Sequence, residues 1–251
     1  MIKLKTDEQI GMMAESGKVT GRILRELAGL IRPGLSTMEI GRFVEESICA
    51  AGMDPTFKGY NGFPASACVS VNEELVHGIP NETRLLKEGD IVSVDVGATY
   101  KGWVSDAART YPVGEVSETA ARIIRTAEES FFKGLEACRP GRRLTDIGHA
   151  IQTCIESEGF SVVLDYIGHG IGRKMHEDPQ VRNYGEPGQG PTLTKGMALA
   201  VEPMLTEGFS AVKTMSDGWT VVTEDGKLAA HYENTVIITD GAPLVITLDE
   251  R

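Results

Sequence analysis

Two aspartates lie in the stretch Ile91–Tyr111, which has the pattern of a β-hairpin. β-Branched and aromatic residues flank a turn at 98–102, and valines alternate with Asp95 along the first strand. The Asp95 carboxylate is therefore expected on the face opposite those valines, and the return strand brings Asp106 close to it. Because like charges on paired strands are unfavourable, either one carboxylate is protonated or a cation lies between them. Two solvent-facing aspartates are the alternative that these residues alone leave open.

A constant offset of 107 residues relates two parts of the chain. It maps residues 32–34 (Arg-Pro-Gly) onto residues 139–141, and further isoleucines, leucines and glycines follow the same shift. We therefore predict an α+β fold, with two αβ halves that meet at a pseudo-twofold axis. The halves are expected at roughly 6–115 and 116–251, within a single catalytic domain, 1–251.

The repeat places two glutamates at the positions of the two aspartates. The offset of 107 carries Asp95 onto Glu202, and an offset of 127 carries Asp106 onto Glu233. The difference of 20 residues predicts an insertion, which we place within Thr206–Gly218. Four carboxylates in one cavity cannot all stay ionised without cations. Oxygen ligands with one added imidazole favour Mn, Fe, Co or Zn over Ca or Mg.

The candidate for that imidazole is His169, which glycines flank on both sides. The chain has five histidines, and a single histidine is more often structural than a ligand. His77 and His169 both begin His-Gly-Ile triplets, and His176 lies seven residues past His169. His231 shares a strand face with Glu233, but we expect an ordinary exposed histidine there rather than a partner of the ligands.

Composition limits the classes of partner and the compartment. The 251-residue chain carries a net charge of −11, which argues against DNA or an anionic membrane surface as its main partner. The first ten residues lack the apolar run of a signal peptide, and no apolar stretch reaches membrane-spanning length. The four cysteines show no C-x-x-C spacing and are expected to be free thiols. We therefore expect a cytoplasmic protein.

Helices and strands alternate in an order that can position these side chains. Capping boxes begin at Thr6 and Ser36, and Ser117 caps a third helix. The pattern predicts helices over about 7–31, 37–51, 118–137 and 145–158. A loop rich in aromatic residues follows at 54–66, where it can line a pocket or cover the core edge. Strands are expected at 67–71, in the hairpin, and near 161–167, 197–202, 219–222 and 231–239.

Five of these residues carry a family resemblance. Their order, type and approximate spacing resemble the five-ligand signature of the dinuclear pita-bread metallopeptidases: Asp95, Asp106, His169, Glu202 and Glu233. The resemblance implies a central curved antiparallel sheet flanked by helices. It also implies two divalent metal ions, which can be Co, Mn, Fe or Zn.

A second set of residues resembles the type I methionine aminopeptidases in particular. It comprises the aromatic loop 59–64, Cys68 and the segment 77–80. The resemblance implies removal of the initiator methionine from nascent proteins whose second residue is small. The implied partners are peptide N-termini, with the ribosome as a further candidate, and the chain is expected to be a monomer.

The resemblance also implies a role for each metal-site residue. Asp106 and Glu233 would bridge the two ions, Asp95 would complete one site, and His169 with Glu202 would complete the other. A hydroxide shared by the ions would attack the first peptide carbonyl.

Three residues are implied to act on the substrate. Glu202 would also move the proton to the leaving amine. His176 would donate to the scissile carbonyl oxygen as negative charge develops on it. His77 would bind the peptide nitrogen of the scissile bond or the group next to it.

A pocket for the methionine side chain is implied at Tyr60, Phe63, Cys68, Met175 and Trp219, because sulfur and aromatic edges suit a thioether. Two positions depart from the family pattern. Met175 stands where phenylalanine is common, which makes the pocket more pliable and its preference for methionine less strict. Asn234 stands where histidine is common, and we expect it to alter only contacts outside the ligand set.

Two alternatives remain at this stage. An exopeptidase of the same fold acting on X-Pro bonds is disfavoured by chain length and by the apolar pocket set. A non-catalytic binding module on the same fold should lack several of the acids, whereas this chain keeps all five ligands with His77 and His176.

Overall fold

The computed structural model describes residues 1–248, which form four α-helices, a short 3₁₀ turn at Tyr60–Gly62 and fifteen strands. The helices are α1 (Asp7–Leu30), α2 (Thr37–Ala50), α3 (Glu118–Ala137) and α4 (Leu144–Ser157). The strands are β1 (Asp54–Pro55), β2 (Ala67–Val71), β3 (Glu74–Val76), β4 (Ile91–Tyr100), β5 (Trp103–Pro112), β6 (Ser161–Val162), β7 (Gly168–Gly170), β8 (Glu177–Val181), β9 (Ala198–Val201), β10 (Met204–Thr206), β11 (Val212–Thr214), β12 (Val221–Thr223), β13 (Ala229–His231), β14 (Glu233–Ile237) and β15 (Leu244–Val245).

The predicted helix starts are confirmed by their caps. Thr6 and Ser36 each accept a hydrogen bond from the backbone N–H three residues on, and the Gln9 and Glu39 side chains accept from the cap backbone in return. Ser117 accepts from the third residue beyond it in the same way. Within residues 1–248, none of the helices combines the length and apolarity needed to cross a membrane.

One antiparallel sheet joins the two parts of the chain. Its strands follow the order β1-β4-β5-β14-β9-β7-β8, with β2 also paired to β4 and β15 to β14. The hairpin β4–β5 runs in continuous register from Ile91 opposite Pro112 to Tyr100 opposite Trp103. At the centre, β5 of the first part pairs with β14 of the second, where Glu233 lies opposite Ala108. The acidic strands of both parts are therefore neighbours in one sheet.

Hydrogen bonds repeat at the offset of 107 residues. The Gly34 N–H donates to the Leu86 carbonyl at 2.7 Å, and the Gly141 N–H donates to the Leu193 carbonyl at 2.9 Å. Isolated β-bridges join residues 36 and 85 and, at the same offset, residues 143 and 192. The residues that repeat in the sequence thus make equivalent backbone contacts in the structure. The boundaries of the halves at 115 and 116 stay a prediction.

Each pair of helices covers its own part of the sheet. Valines 92, 94 and 96 of β4 pack with Ile40 and Val44 of α2 in one buried cluster. Phe131 of α3 and Ile147 of α4 pack with strands β9 and β14 in a second cluster. Because the helices occupy the valine face of β4, the side chain of Asp95 is left on the opposite face, as predicted.

Two strand predictions need correction, and one strand beside the site was not predicted. The strand expected near 231–239 is interrupted at Tyr232, whose N–H donates to the Pro203 carbonyl. The strand expected near 161–167 is limited to β6, with two residues. Strand β8 was not expected, because its sequence Glu-Asp-Pro-Gln-Val is mostly polar and contains proline. It pairs with β7, the strand that carries His169.

A buried ion pair anchors the first residues of the chain beside β8. Lys5 Nζ lies 2.9 Å from Glu177 Oε2, and the side chains are only 3% and 7% exposed. We expect Lys5→Met to lower the free energy of unfolding by about 3–5 kcal/mol, because the Glu177 carboxylate would remain buried without its cation. For a chain of this size, that corresponds to a drop in Tm of about 10 °C in a thermal unfolding scan.

The matched control for that substitution is Lys195→Met. Lys195 also pairs with an acid, Asp240, but both side chains are mostly exposed, at 53% and 77%. The Tm should therefore change little in this variant. Equal shifts in the two variants would contradict the anchoring role of the Lys5–Glu177 pair.

Candidate active site

The hairpin brings its two aspartates to one face of the sheet. Asp95 lies opposite Ala108 and Asp106 lies opposite Gly97, so the two carboxylates are diagonal neighbours on the same side. The Asp106 N–H donates to the Thr235 hydroxyl, which in turn donates to the Asp106 carbonyl, both at 2.9 Å. These two hydrogen bonds connect Asp106 to β14. This register confirms the predicted approach of Asp95 and Asp106.

The two glutamates come to the same place from the second part of the chain. Glu233 begins β14 and its backbone carbonyl accepts a 2.6 Å hydrogen bond from Arg109. Glu202 follows β9 directly, and its carbonyl accepts from the Asn183 amide at 2.9 Å. Both side chains line the same cavity as Asp95 and Asp106.

Glycines on either side of His169 let three strands approach closely. A Cβ at Gly168 would collide with the Ala200 carbonyl of β9, and one at Gly170 would collide with the Asp178 carbonyl of β8. The His169 Nδ1–H donates to the Gly170 carbonyl at 2.9 Å, which directs Nε2 towards the acids. Nε2 lies 3.5 Å from Glu202 Oε1 and 3.8 Å from Asp106 Oδ2.

Burial changes the proton affinity of every group in this cluster. It raises the pKa of Asp95 from its ordinary 3.8 to about 7. Burial, and then the charges of neighbouring acids, hold the pKa values of Asp106, Glu202 and Glu233 well above their ordinary range. Burial lowers the pKa of His169 to about 4. The acids are thus costly to ionise together, and the imidazole is neutral at pH 7.

Unpartnered atoms show that this donor set fits metal ions. Asp95 Oδ1, Asp106 Oδ1 and Glu233 Oε1 are buried without a hydrogen-bond partner. Donor atoms of Asp106, His169 and Glu233 lie within 4.8 Å of one another. Carboxylate oxygens with a neutral imidazole are ligands for Mn, Fe, Co or Zn, and a cation would offset the cost of their ionisation.

His231 is buried, and the prediction of an exposed side chain is wrong. It lies opposite Met204 in the pairing of β13 with β10, and its side chain lines the cavity. Its Nε2 is 3.8 Å from Glu202 Oε2 and 3.8 Å from Glu233 Oε2. Burial, followed by the charges of His77 and Arg109, lowers its pKa to about 3. His231 is therefore part of the acidic cluster.

Two further histidines, His77 and His176, line the cavity. The His176 ring centroid is 4.3 Å from that of His169, and its Nδ1 is hydrogen-bonded to the Tyr60 hydroxyl at 2.8 Å. His77 has φ +60°, a left-handed backbone conformation that is uncommon for residues other than glycine. Burial lowers the pKa of both imidazoles. Both rings are thus neutral at pH 7.

An apolar wall completes a cavity of about 230 Å³. All five residues predicted for a side-chain pocket line it: Tyr60, Phe63, Cys68, Met175 and Trp219. The Phe63 and Trp219 rings meet edge to face with centroids 5.1 Å apart, and Cys68 lies opposite Asp95 in the sheet. The cavity therefore combines an apolar part with a cluster of acids and imidazoles.

The sequence did not predict several residues that line this cavity, among them Tyr166 and Met204. Tyr166 packs edge to face against His77, with centroids 5.8 Å apart, and no local pattern marked it. Met204 lies two residues past Glu202 and also lines the cavity. Strand alternation could not identify Met204, because Glu202 and Pro203 lie between β9 and β10 and not within one strand.

The family model that matches this chain is that of metallopeptidase family M24, over residues 11–240. Methionine aminopeptidase from Clostridium acetobutylicum is 54% identical over 250 residues, which is 100% of both chains. Methionine aminopeptidase 1 from Bacillus subtilis is 52% identical over 96% of both chains. The matched regions therefore include all the residues that line the cavity.

Solved structures give the same result. The methionine aminopeptidase of Thermotoga maritima superimposes with a TM-score of 0.97 at 47% identity, covering 98% of this chain and 99% of the other. The prolidase of Pyrococcus furiosus has a TM-score of 0.79 at 22% identity over 99% of this chain and 66% of its own, which shows the fold alone. The predicted pita-bread fold is confirmed. The chain belongs to metallopeptidase family M24, in which the relatives of high identity named above are methionine aminopeptidases.

Proposed function

We propose that this chain removes N-terminal methionine from peptides and nascent proteins when the second residue is small, with two bound divalent metal ions. The observation that carries the proposal is that one cavity is lined both by buried carboxylates with His169 and by an apolar wall. When bound, the ions would polarise the first peptide carbonyl and lower the pKa of a water molecule. An exopeptidase for X-Pro bonds is not favoured.

Each ligand has a proposed place. Asp106 and Glu233 would bridge the two ions, since they lie on the adjacent central strands β5 and β14. Asp95 would complete one site, and His169 with Glu202 would complete the other. Co, Mn, Fe and Zn all accept such a donor set.

Three side chains would act on the substrate itself. Glu202, which lines the cavity, would accept a proton and pass it to the leaving amine. His176 has Nδ1 engaged by the Tyr60 hydroxyl, which leaves Nε2 to donate to the carbonyl oxygen of the scissile bond. His77, whose ring packs edge to face against Tyr166 and Trp219, would bind the peptide nitrogen.

The apolar wall would hold the methionine side chain. Phe63, Cys68 and Met175 belong to one buried apolar cluster, with Tyr60 and Trp219 packed against it. Polarisable sulfur and aromatic edges are suited to a thioether. We further propose that the chain acts as a monomer in the cytoplasm on chains emerging from the ribosome.

Release of methionine from Met-Gly-Met tests this function. We expect release with added Co²⁺ or Mn²⁺ and none after treatment with a chelator. Met-Lys-Met should be a much poorer substrate, because its second residue is large. No release with any divalent metal would overturn the proposal, and release only from X-Pro peptides would favour the X-Pro exopeptidase.

A substitution of His176 separates catalysis from metal binding. We expect His176→Ala to lower kcat for Met-Gly-Met by about 10²–10³-fold, because a donor to the developing oxyanion is lost. The affinity for Co²⁺, measured by isothermal titration calorimetry, should hardly change. The exposed His149 provides the control, since His149→Ala should change neither quantity. Loss of both metals in His176→Ala would instead identify His176 as a ligand.

A further inference from the structure

The proposed roles leave one buried imidazole of the cavity unused. The His231 side chain is 2% exposed, and its Nε2 has no hydrogen-bond partner. A buried polar nitrogen without a partner costs free energy, so such atoms are rare unless a ligand or ion satisfies them. His231 Nε2 therefore points to a missing partner inside the cavity.

The surroundings of this nitrogen are acidic on two sides. Nε2 is 3.8 Å from Glu202 Oε2 and the same distance from Glu233 Oε2. The other oxygen of Glu202, Oε1, is 3.5 Å from His169 Nε2. The Glu202 carboxylate is thus bracketed by two imidazoles, each of which faces a different oxygen.

These distances suit a shared cation better than direct hydrogen bonds. An N–H···O hydrogen bond joins atoms about 2.7–3.2 Å apart, so 3.8 Å is too long. Nitrogen and oxygen ligands lie about 2.0–2.2 Å from a zinc-like ion, so one ion can contact two donors 3.8 Å apart. Donor atoms of Glu202, His231 and Glu233 all lie within 4.8 Å of one another.

The backbone of His231 is fixed on both sides. Its N–H donates to the Thr110 hydroxyl at 3.0 Å, and its carbonyl accepts from the same hydroxyl at 2.8 Å. The Thr110 hydroxyl also lies 2.7 Å from the Ser93 hydroxyl. β4 and β5 therefore hold this residue in place beside the two acids.

We propose that His231 Nε2 is an additional ligand of the metal ion held by Glu202 and Glu233, so that the centre contains two imidazoles. This inference rests on the proposed two-metal function and adds a nitrogen ligand to it. Two nitrogen ligands favour Co, Fe or Zn over Mn more strongly than one does. The competing role is that of a hydrogen-bond donor to Glu202 with no contact to metal.

The imidazoles bound to metal can be counted directly. The experiment records the extended X-ray absorption fine structure of the protein with two equivalents of Co²⁺. The variants are His231→Gln, His169→Gln as a reference ligand and His149→Gln as an exposed control. Glutamine at position 231 keeps a hydrogen-bond donor but removes the imidazole, so it separates the two roles. Calorimetric titrations with Co²⁺ and Mn²⁺ accompany the spectra.

We expect two metal-bound imidazoles per chain in the unmodified protein and in His149→Gln. His231→Gln and His169→Gln should each retain one. Co²⁺ binding by His231→Gln should weaken by more than about 10-fold, and by more than Mn²⁺ binding does. One imidazole in the unmodified protein, unchanged in His231→Gln, would overturn the inference. If the variants do not fold, as judged by circular dichroism, the number of metal-bound imidazoles in the unmodified protein decides: two support the inference and one overturns it.

The same Co²⁺-loaded sample separates this inference from the proposed function. Methionine release with a single bound imidazole would leave the function standing and overturn the role of His231. Two bound imidazoles without methionine release from Met-Gly-Met would support the role of His231 and overturn the proposed function.

Discussion

Replacing Glu202 by glutamine should lower kcat for methionine release by about 10²–10⁴-fold while the protein stays folded. Glutamine keeps the shape of the side chain but cannot accept a proton and pass it on. The fold should tolerate the change, because burial and the charges of Asp106 and Asp95 already raise the pKa of Glu202 far above its ordinary range. A neutral amide removes that repulsion.

The measurement is the rate of methionine release from Met-Gly-Met at saturating Co²⁺, since Glu202 is also a proposed ligand. Glu186→Gln is the matched control, because Glu186 is an exposed glutamate. It should retain the normal rate. A near-normal rate in Glu202→Gln, with metal bound, would rule out proton transfer by this residue.

Removing the metal should make the stability of the protein fall as the pH rises from about 6.5 to 8.5. The pKa of Asp95 is raised from 3.8 to about 7, so its contribution is lost by about pH 7, and the pKa values of Asp106, Glu202 and Glu233 are raised well above their ordinary range. A raised pKa contributes stability that is present at low pH and is lost as the pH rises through the folded value.

The histidines of the cluster act in the opposite sense but at lower pH. The pKa of His169 is lowered to about 4 and that of His231 to about 3, so their contribution changes only below their ordinary value of 6.5. Above that value, the acids alone set the trend. Each acid that is protonated in the folded state and ionised in the unfolded state lowers the stability by about 1.4 kcal/mol per pH unit.

Thermal unfolding scans with and without Mn²⁺ measure this effect. The Tm of the metal-free protein should decrease across the range, whereas the metal-loaded protein should hold its Tm, so that the gap widens with pH. Glu233→Gln should flatten the decrease, because the pKa of Glu233 is raised well above its ordinary range, and Glu186→Gln, at an exposed glutamate, should not. If the Tm of the metal-free protein is constant or rises with pH, ionisation of the clustered acids does not destabilise the folded state, and the prediction is wrong.

Local patterns were enough to predict the first pair of acids. Strand alternation and a short turn determine which face carries Asp95, and both act within twenty residues of sequence. The second pair needed the internal repeat, which carried Asp95 and Asp106 onto Glu202 and Glu233. Helix starts were predictable for the same reason as the hairpin, since a capping box is a contact between residues three apart.

Features that depend on distant strands could not be predicted in this way. Alternation places His231 and Glu233 on one face, but their burial depends on the pairing of β13 with β10. Strand β8 has a polar sequence, and it pairs with β7 because the glycines beside His169 allow the backbones to approach. Tyr166 contacts His77 only because the fold brings together residues that are 89 positions apart in the sequence. Tertiary contacts decided each of these three positions.

Anomalous diffraction from crystals soaked in Mn²⁺ addresses most directly the claim that acids from both parts of the chain together hold a pair of ions. Two peaks should lie among Asp95, Asp106, His169, Glu202 and Glu233. A well-ordered cavity with no peak, or peaks confined to other parts of the molecule, would contradict the claim.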